Sequence, residues 1–196
     1  VISARDITVN VKDNEKLDIY YKGKLVLSDY ETARKKSEKN PYEDLAIAEL
    51  EGHTVGKDEE KTDAVTIIKK LGKDDAIYGL GDKPGCLNKR GYSYVNWNTD
   101  DPAPHVDSFK SLYKSIPFFI VLGDEYCYGI FADNTYKTTF DFGYENTDYY
   151  FVEHEKGELD YYFMPGNDMA EVVGLYTSLT GTTPLYQRWI YGSHQS

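Results

Sequence analysis

Asp100 and Asp101 stand side by side in the run Asn96-Trp97-Asn98-Thr99-Asp100-Asp101-Pro102, and paired carboxylates are the groups that general acid/base chemistry needs. Neighbouring residues of an extended chain point to opposite sides, however, so these two are not placed to flank one substrate bond. Asp100 alone can accept a hydrogen bond from a ligand; a solvated loop acid ahead of Pro102 explains the same letters equally well. Trp97, set between two asparagines, offers an aromatic face beside amides, which suits a sugar ring and its hydroxyls. It also suits an aromatic plug that closes a loop. His105 follows in the same segment, either at the edge of a ligand or simply on the surface.

Other chemistries lack their residue patterns. His53, His105, His154 and His194 include no H-x-H and no H-E-x-x-H pair, and Cys86 and Cys127 are the only cysteines, so no metal site is expected. The two cysteines read as free thiols of a reducing compartment. Ser111, Ser115 and Ser193 are not in a G-x-S-x-G turn, so a nucleophile elbow is not expected. Tyr78-Gly79-Leu80-Gly81-Asp82-Lys83-Pro84-Gly85 superficially suggests a phosphate loop, but the G-x-x-x-x-G-K-[ST] spacing is missing and Pro84 removes an amide. A turn-rich structural segment is the better reading.

The elements that must position the Asp100 loop are short and mostly extended. Ile7–Val11 alternates apolar and polar residues as a half-buried strand does, and Leu17–Tyr21 and Leu25–Leu27 flank a Lys22-Gly23 turn. The charged stretch 28–43 reads as irregular. Leu45–Leu50 returns to a strand pattern that pairs with Ala64–Ile68 across the solvated turn Lys57–Lys61. Ile116–Leu122, Tyr126–Ala132, Tyr136–Phe142, Tyr149–Glu153 and Leu159–Phe163 follow, separated by Gly, Asn and Asp turns. Strands at this spacing indicate an all-β sandwich. Asp168 and Glu171 form a capping-box pattern opening one helix, whose Met169, Val172, Val173, Tyr176 and Leu179 share a face; Gly181 and Pro184 end it. The apolar run from Trp189 reads as the first strand of a further unit, with an exposed apolar patch expected around it and the helix.

Composition excludes whole classes of partner. The 196 residues carry a net charge of −11, which argues against nucleic acid and against an anionic membrane surface. Ile116–Leu122 is the longest apolar stretch, far short of a bilayer span, and Val1–Asp6 is not organised as a signal peptide. The 19 tyrosines suit strands.

Read in order, several blocks resemble the N-terminal domain of family 31 glycoside hydrolases. They are Tyr78–Lys83, Asn88-Lys89-Arg90-Gly91, Trp97-Asn98-Thr99-Asp100, Tyr113–Phe119, Tyr128–Thr135, Gly157–Tyr162 and Gly192–Ser196. Residues 1 to about 70 resemble the family only loosely. The resemblance implies a galactose-mutarotase-like β-sandwich (a supersandwich) over 1–185, with a connector helix over 168–180. Residues 186–196 would then begin a (β/α) catalytic barrel. It implies a parent that is a retaining α-glucosidase, bacterial and cytoplasmic, acting without a cofactor on α-glucoside oligosaccharides. The catalytic Asp nucleophile and Asp acid/base would lie in that barrel, beyond Ser196, so this chain is expected to hold no catalytic residue. Asp100 carries over as a hydroxyl acceptor at the sugar subsite, with Thr99, Trp97 and His105 beside it, and Asn134 as a contact to the barrel. A stand-alone carbohydrate-binding module is the alternative, and a mutarotase-like epimerase using His105 and His154 a third. The exposed patch would also favour oligomer formation by the isolated chain.

Overall fold

The structure, a computed structural model, describes residues 1–35, 64–100, 102 and 104–193. In chain order the strands are β1 (Ile2–Ala4), β2 (Ile7–Val11), β3 (Leu17–Tyr21), β4 (Lys24–Lys35), β5 (Val65–Lys70) and β6 (Ala76–Gly81). They continue as β7 (Ser93–Asn96), β8 (Ser115–Leu122), β9 (Cys127–Ala132), β10 (Thr138–Asp141), β11 (Tyr149–His154) and β12 (Tyr161–Gly166). Helix α1 (Met169–Thr180) and a 3-10 turn (Arg188–Tyr191) close the described chain. One antiparallel sheet runs β1-β2-β3-β4-β5-β11-β10-β7 and the other β12-β9-β8-β6. This is the expected all-β sandwich.

Side-chain alternation builds the layers. From β8, Phe119 and Val121 face the first sheet, while Phe118 and Ile120 face outward and pack with Cys127, Met164 and Val172 under α1. Phe118 stacks on Tyr176 of the helix at 4.0 Å between ring centroids. Asp168 caps α1 by accepting from the Glu171 N–H at 2.9 Å. The Glu171 carboxylate reaches back one residue further than a capping box requires, accepting from the Asn167 N–H at 2.8 Å. Gly181, at φ 89, ends the helix. Only Val172 of the expected apolar face is buried; Met169, Val173 and Leu179 are exposed.

Several expectations change. The stretch 28–43 was expected to be irregular, yet β4 continues to Lys35, because Asp29, Glu31, Arg34 and Lys35 pair with β5. Its remainder, like Leu45–Leu50 and the Lys57–Lys61 turn, lies outside the described residues. The sequence does not say which sheet each of the last two strands joins: β11 pairs with β5 and β10, while β12 pairs with β9 in the other sheet. Trp189–Gly192 is not a strand: Arg188–Tyr191 forms a 3-10 turn, since no described strand lies alongside to supply a ladder. Asn134 braces its own loop, its amide donating to the carbonyls of Lys156 and Glu158 at 3.0 and 3.2 Å.

The Gly79–Gly81 block is a strand with a bulge. β6 pairs with β8, and its register shifts between Gly79 and Gly81. Gly81, at φ 81, lies so close to β8 that a Cβ there would sit 1.9 Å from the Lys114 carbonyl oxygen. The next motif, Asn88-Lys89-Arg90-Gly91, is a knot beside it. Asn88 Oδ1 accepts from the N–H groups of Ile77 and Arg90 at 2.9 and 3.1 Å. The Lys89 ammonium donates to the carbonyls of Lys83 and Pro84 at 3.2 and 3.1 Å, and Arg90 donates to those of Gly72 and Asp75 at 2.7 and 3.2 Å.

A buried ion pair links the sheets. Lys69 and Asp29 face each other in register on β5 and β4, with side chains 3% and 9% exposed, and the ammonium also donates to the Tyr161 hydroxyl of the other sheet at 3.1 Å. Asp29→Ala strands that ammonium and is expected to cost about 3–5 kcal/mol. The double change Asp29→Leu with Lys69→Met costs clearly less, which thermal melts of both variants check. Gly81→Ala is expected to lower the melting temperature far more than Gly91→Ala. Both positions have positive φ, but a Cβ at Gly91 meets nothing within 4 Å.

Candidate functional site

The candidate residues sit in the loop that leaves β7 at the edge of one sheet and enters β8 in the other. Backbone rungs pin its two arms together: the Val95 N–H donates to the Lys110 carbonyl at 2.8 Å and the Thr99 N–H to that of Leu112 at 3.3 Å. Asn98 Oδ1 accepts from the Ser115 N–H at 3.0 Å. Leu112 is buried and anchors the returning arm. The hydroxyls of Thr99 and Ser111 lie 3.0 Å apart, and both reach the Trp97 carbonyl. Lys114, at φ 53, turns the chain into β8 and pairs with Asp82 at 3.0 Å.

Asp100 is exposed, and its Oδ1 accepts from the Tyr113 hydroxyl of the opposite arm. That leaves a carboxylate oxygen free to accept from a ligand hydroxyl. Trp97 is 56% exposed, so it is not the buried plug that was one reading of it. The Thr99 hydroxyl bonds within the loop, to the Trp97 carbonyl and the Ser111 hydroxyl at 3.0 Å each. His105 lies further out, its ring 5.5 Å from that of Phe109. The loop therefore brings Trp97, Thr99 and Asp100 together on its pinned part, with His105 toward the tip. Asp101 lies outside the described residues. Tyr113 and Ser111, which hold Asp100 and Trp97, were missed; the signal for Tyr113 was its place in the Tyr113–Phe119 block, and Ser111 carried none.

One carboxylate held by a tyrosine can orient a polyhydroxylated ligand but cannot act as both acid and nucleophile. Among the described residues no group of three or more His, Cys, Asp or Glu is placed to hold a metal ion. Cys86 is exposed and Cys127 buried, both as free thiols, and burial pushes the Cys127 thiol up to about 11. His154, offered for an epimerase, is a core residue of β11 that is 1% exposed and bonded to Thr138 at 2.8 Å. It cannot share a cleft with the exposed loop. No helix among the described residues is long and apolar enough to cross a membrane.

The sandwich and its loop define a class of domain, and comparison with known proteins gives the family. Residues 1–141 match the glycosyl hydrolase 31 N-terminal galactose mutarotase-like domain, and the chain belongs to that family. It is 45% identical over 132 residues to Alpha-glucosidase 2 of Bacillus thermoamyloliquefaciens, covering 67% of this chain and 17% of that protein. It is 34% identical over 122 residues to the alpha-xylosidase XylQ of Lactiplantibacillus pentosus, covering 62% and 15%. A GH31 dextranase of Flavobacterium johnsoniae, complexed with isomaltotriose, superposes with a TM-score of 0.66 at 33% identity over 95% of this chain and 22% of that one. The cycloalternan-forming enzyme of Listeria monocytogenes shares the fold, with a TM-score of 0.74 at 19% identity over 97% and 17% of the two chains. The chain thus spans about a sixth of the curated relatives it matches.

Burial pushes the His154 imidazole below its ordinary value of 6.5. The unfolded chain binds the proton first, so the stability contribution is complete above pH 6.5. It falls as the pH drops from 6.5 toward the lowered folded value, by up to about 1.4 kcal/mol per pH unit. Denaturant melts from pH 7 to pH 5 are expected to show this loss, and His154→Gln to flatten it.

Proposed function

We propose that the chain is the non-catalytic N-terminal domain of a retaining α-glucosidase, packed on a catalytic (β/α) barrel in the rest of a parent protein. In this reading it lends the Asp100 loop to the sugar subsite, and residues 186–196 lead into the barrel. The observation that carries the reading is the Asp100 carboxylate, held by Tyr113 beside an exposed Trp97 on a loop pinned at both arms. The similarity to Alpha-glucosidase 2 supports the activity. The exposed apolar side chains of Val173, Leu175 and Leu179 on α1, with Trp189 and Tyr191 after it, support docking of a further domain there. The same patch favours self-association of the isolated chain. Retaining hydrolysis by two carboxylates needs no cofactor. The two free thiols accord with a reducing cytoplasm.

The exposure of Trp97 also suits a second reading, a stand-alone carbohydrate-binding module. Hydrolysis of p-nitrophenyl α-glucoside separates the two when the 196-residue chain is assayed beside the protein extended through its downstream reading frame. Activity in the extended protein alone is expected. There, Asp100→Ala is expected to raise KM about tenfold or more, the loss of a hydrogen bond to a charged group. Activity in neither protein, with maltose binding to the shorter chain in calorimetry, favours the binding module instead.

A further inference from the structure

Both ends of the Asp100 loop carry buried polar side-chain atoms that have no hydrogen-bond partner among the described residues. Asn96 is the last residue of β7 and 7% exposed; its side chain shares the inward face with Tyr94, two residues earlier. Ser115 is the first residue of β8, on the loop side of the register shift between β6 and β8, and pairs with Gly81. Both polar atoms of the Asn96 amide and the Ser115 hydroxyl are buried without a hydrogen-bond partner among the described residues.

A third such group lies in the same row. Thr138 of β10 pairs in register with Asn96 on one side and His154 on the other. Asn96 and His154 are therefore two strand spacings apart, about 10 Å. The Thr138 hydroxyl donates its one proton to the Tyr136 carbonyl at 3.0 Å, so at 2.8 Å from His154 Nδ1 it must accept. That makes Nδ1 the protonated nitrogen and leaves Nε2 a bare acceptor, buried and without a partner. The unmet atoms then comprise one amide with donors and an acceptor, one hydroxyl that is both, and one imidazole acceptor. This set calls for a small ligand that donates and accepts.

We propose that this end of the sandwich encloses ordered water, and that Asn96 and Ser115 anchor the two stems of the Asp100 loop through it. Buried waters typically make about three hydrogen bonds to otherwise unmet polar groups, and the Asn96, Ser115 and His154 atoms supply such partners. The remainder of the core is apolar and aromatic, so a polar row here has no packing advantage over Leu or Val. The anchor acts where the loop begins and ends: Asn96 lies two and three residues before the rungs at Asn98 and Thr99, and Ser115 supplies the N–H of the Asn98 rung. The inference concerns this chain's own interior and stands whatever reaction the parent protein performs.

A dry site and a wet one give opposite results. If the amide is wholly unmet, Asn96→Leu removes buried polar atoms and leaves the melting temperature unchanged or higher. If it binds water, the same change lowers the melting temperature. It also speeds hydrogen exchange at the Thr99 and Ser115 amides about tenfold or more, while exchange at Ile120 and Gly129 in the β8–β9 pair is much less affected. Ser115→Ala, a smaller change, is expected to show the same local acceleration should Asn96→Leu fail to fold. A high-resolution crystal structure of the 196-residue chain should show ordered water within hydrogen-bond reach of Asn96, Ser115 and His154 Nε2. A dry site there, or an Asn96→Leu protein that melts no lower and exchanges no faster in the loop, overturns the proposal.

Discussion

The two sheets close on one aromatic cluster, and every connection between them takes its position from that contact. Phe119 of β8 sits fully buried with Phe140, Phe142 and Tyr150 from the first sheet around it, ring centroids 5.9, 4.9 and 5.5 Å away. Two of these contacts are edge-on, at interplanar angles of 77° and 84°, the arrangement in which a positive ring edge meets a negative face. Such packing resists sliding as well as separation, because the rings interlock. The chain crosses between layers after β5, β6, β7, β9 and β11. A fixed relation between layers therefore fixes both ends of each crossing, and the Asp100 loop is one of them.

Polar groups complete what the aromatic contact begins, with a division of labour between charges. Carboxylates hold backbone N–H groups: Asp29 that of Leu17, Asp75 that of Gly72, Asp141 those of Tyr144 and Glu145, Asp168 that of Glu171. Cations hold carbonyls, as Lys89 and Arg90 do for the segments leading to and from β6. Each bond meets a backbone group that a turn, a strand end or a helix start would otherwise leave unpaired. These four carboxylates are thus structural, and the family's Asn88-Lys89-Arg90-Gly91 block is explained without a ligand. Burial has a consequence for the cations, since it lowers the Lys89 ammonium from its usual range and brings Lys83 down to about 8.

Most strands were legible because their alternation reports a half-buried sheet directly. Ile7–Val11, Leu17–Tyr21 and the β8–β9 hairpin appear where the pattern puts them. The misses share a cause. β6 carries Gly79, Leu80 and Gly81, all at positive φ, so its letters spell a turn while its backbone pairs with β8. Only the neighbouring strand, which a local pattern does not contain, makes it a strand. The segment after Leu27 reads as irregular for the same reason, since its charged residues face a partner in β5. Which sheet β11 and β12 join is likewise a long-range matter. At the site, Trp97 and Asp100 were visible as residue types in a turn-rich run. Tyr113 and Ser111 were not, because their importance lies in reaching across the loop to residues 13 and 14 positions earlier.

The loop's construction separates what is held from what is free to vary. Its arms are joined by the rungs at Val95, Asn98 and Thr99, and its stems lie in different sheets. The placement of Asp100 therefore follows from the packing of the sandwich, with little contribution from the tip. Residues toward the tip, such as His105, Val106 and Asp107, are exposed and lie beyond those rungs. Changes there can alter what meets a ligand without moving Asp100, the usual relation between a rigid scaffold and a loop that carries function. A carboxylate fixed in this way contributes orientation at no further ordering cost when a ligand arrives. The chemistry itself then rests with whatever acid and nucleophile are brought opposite it.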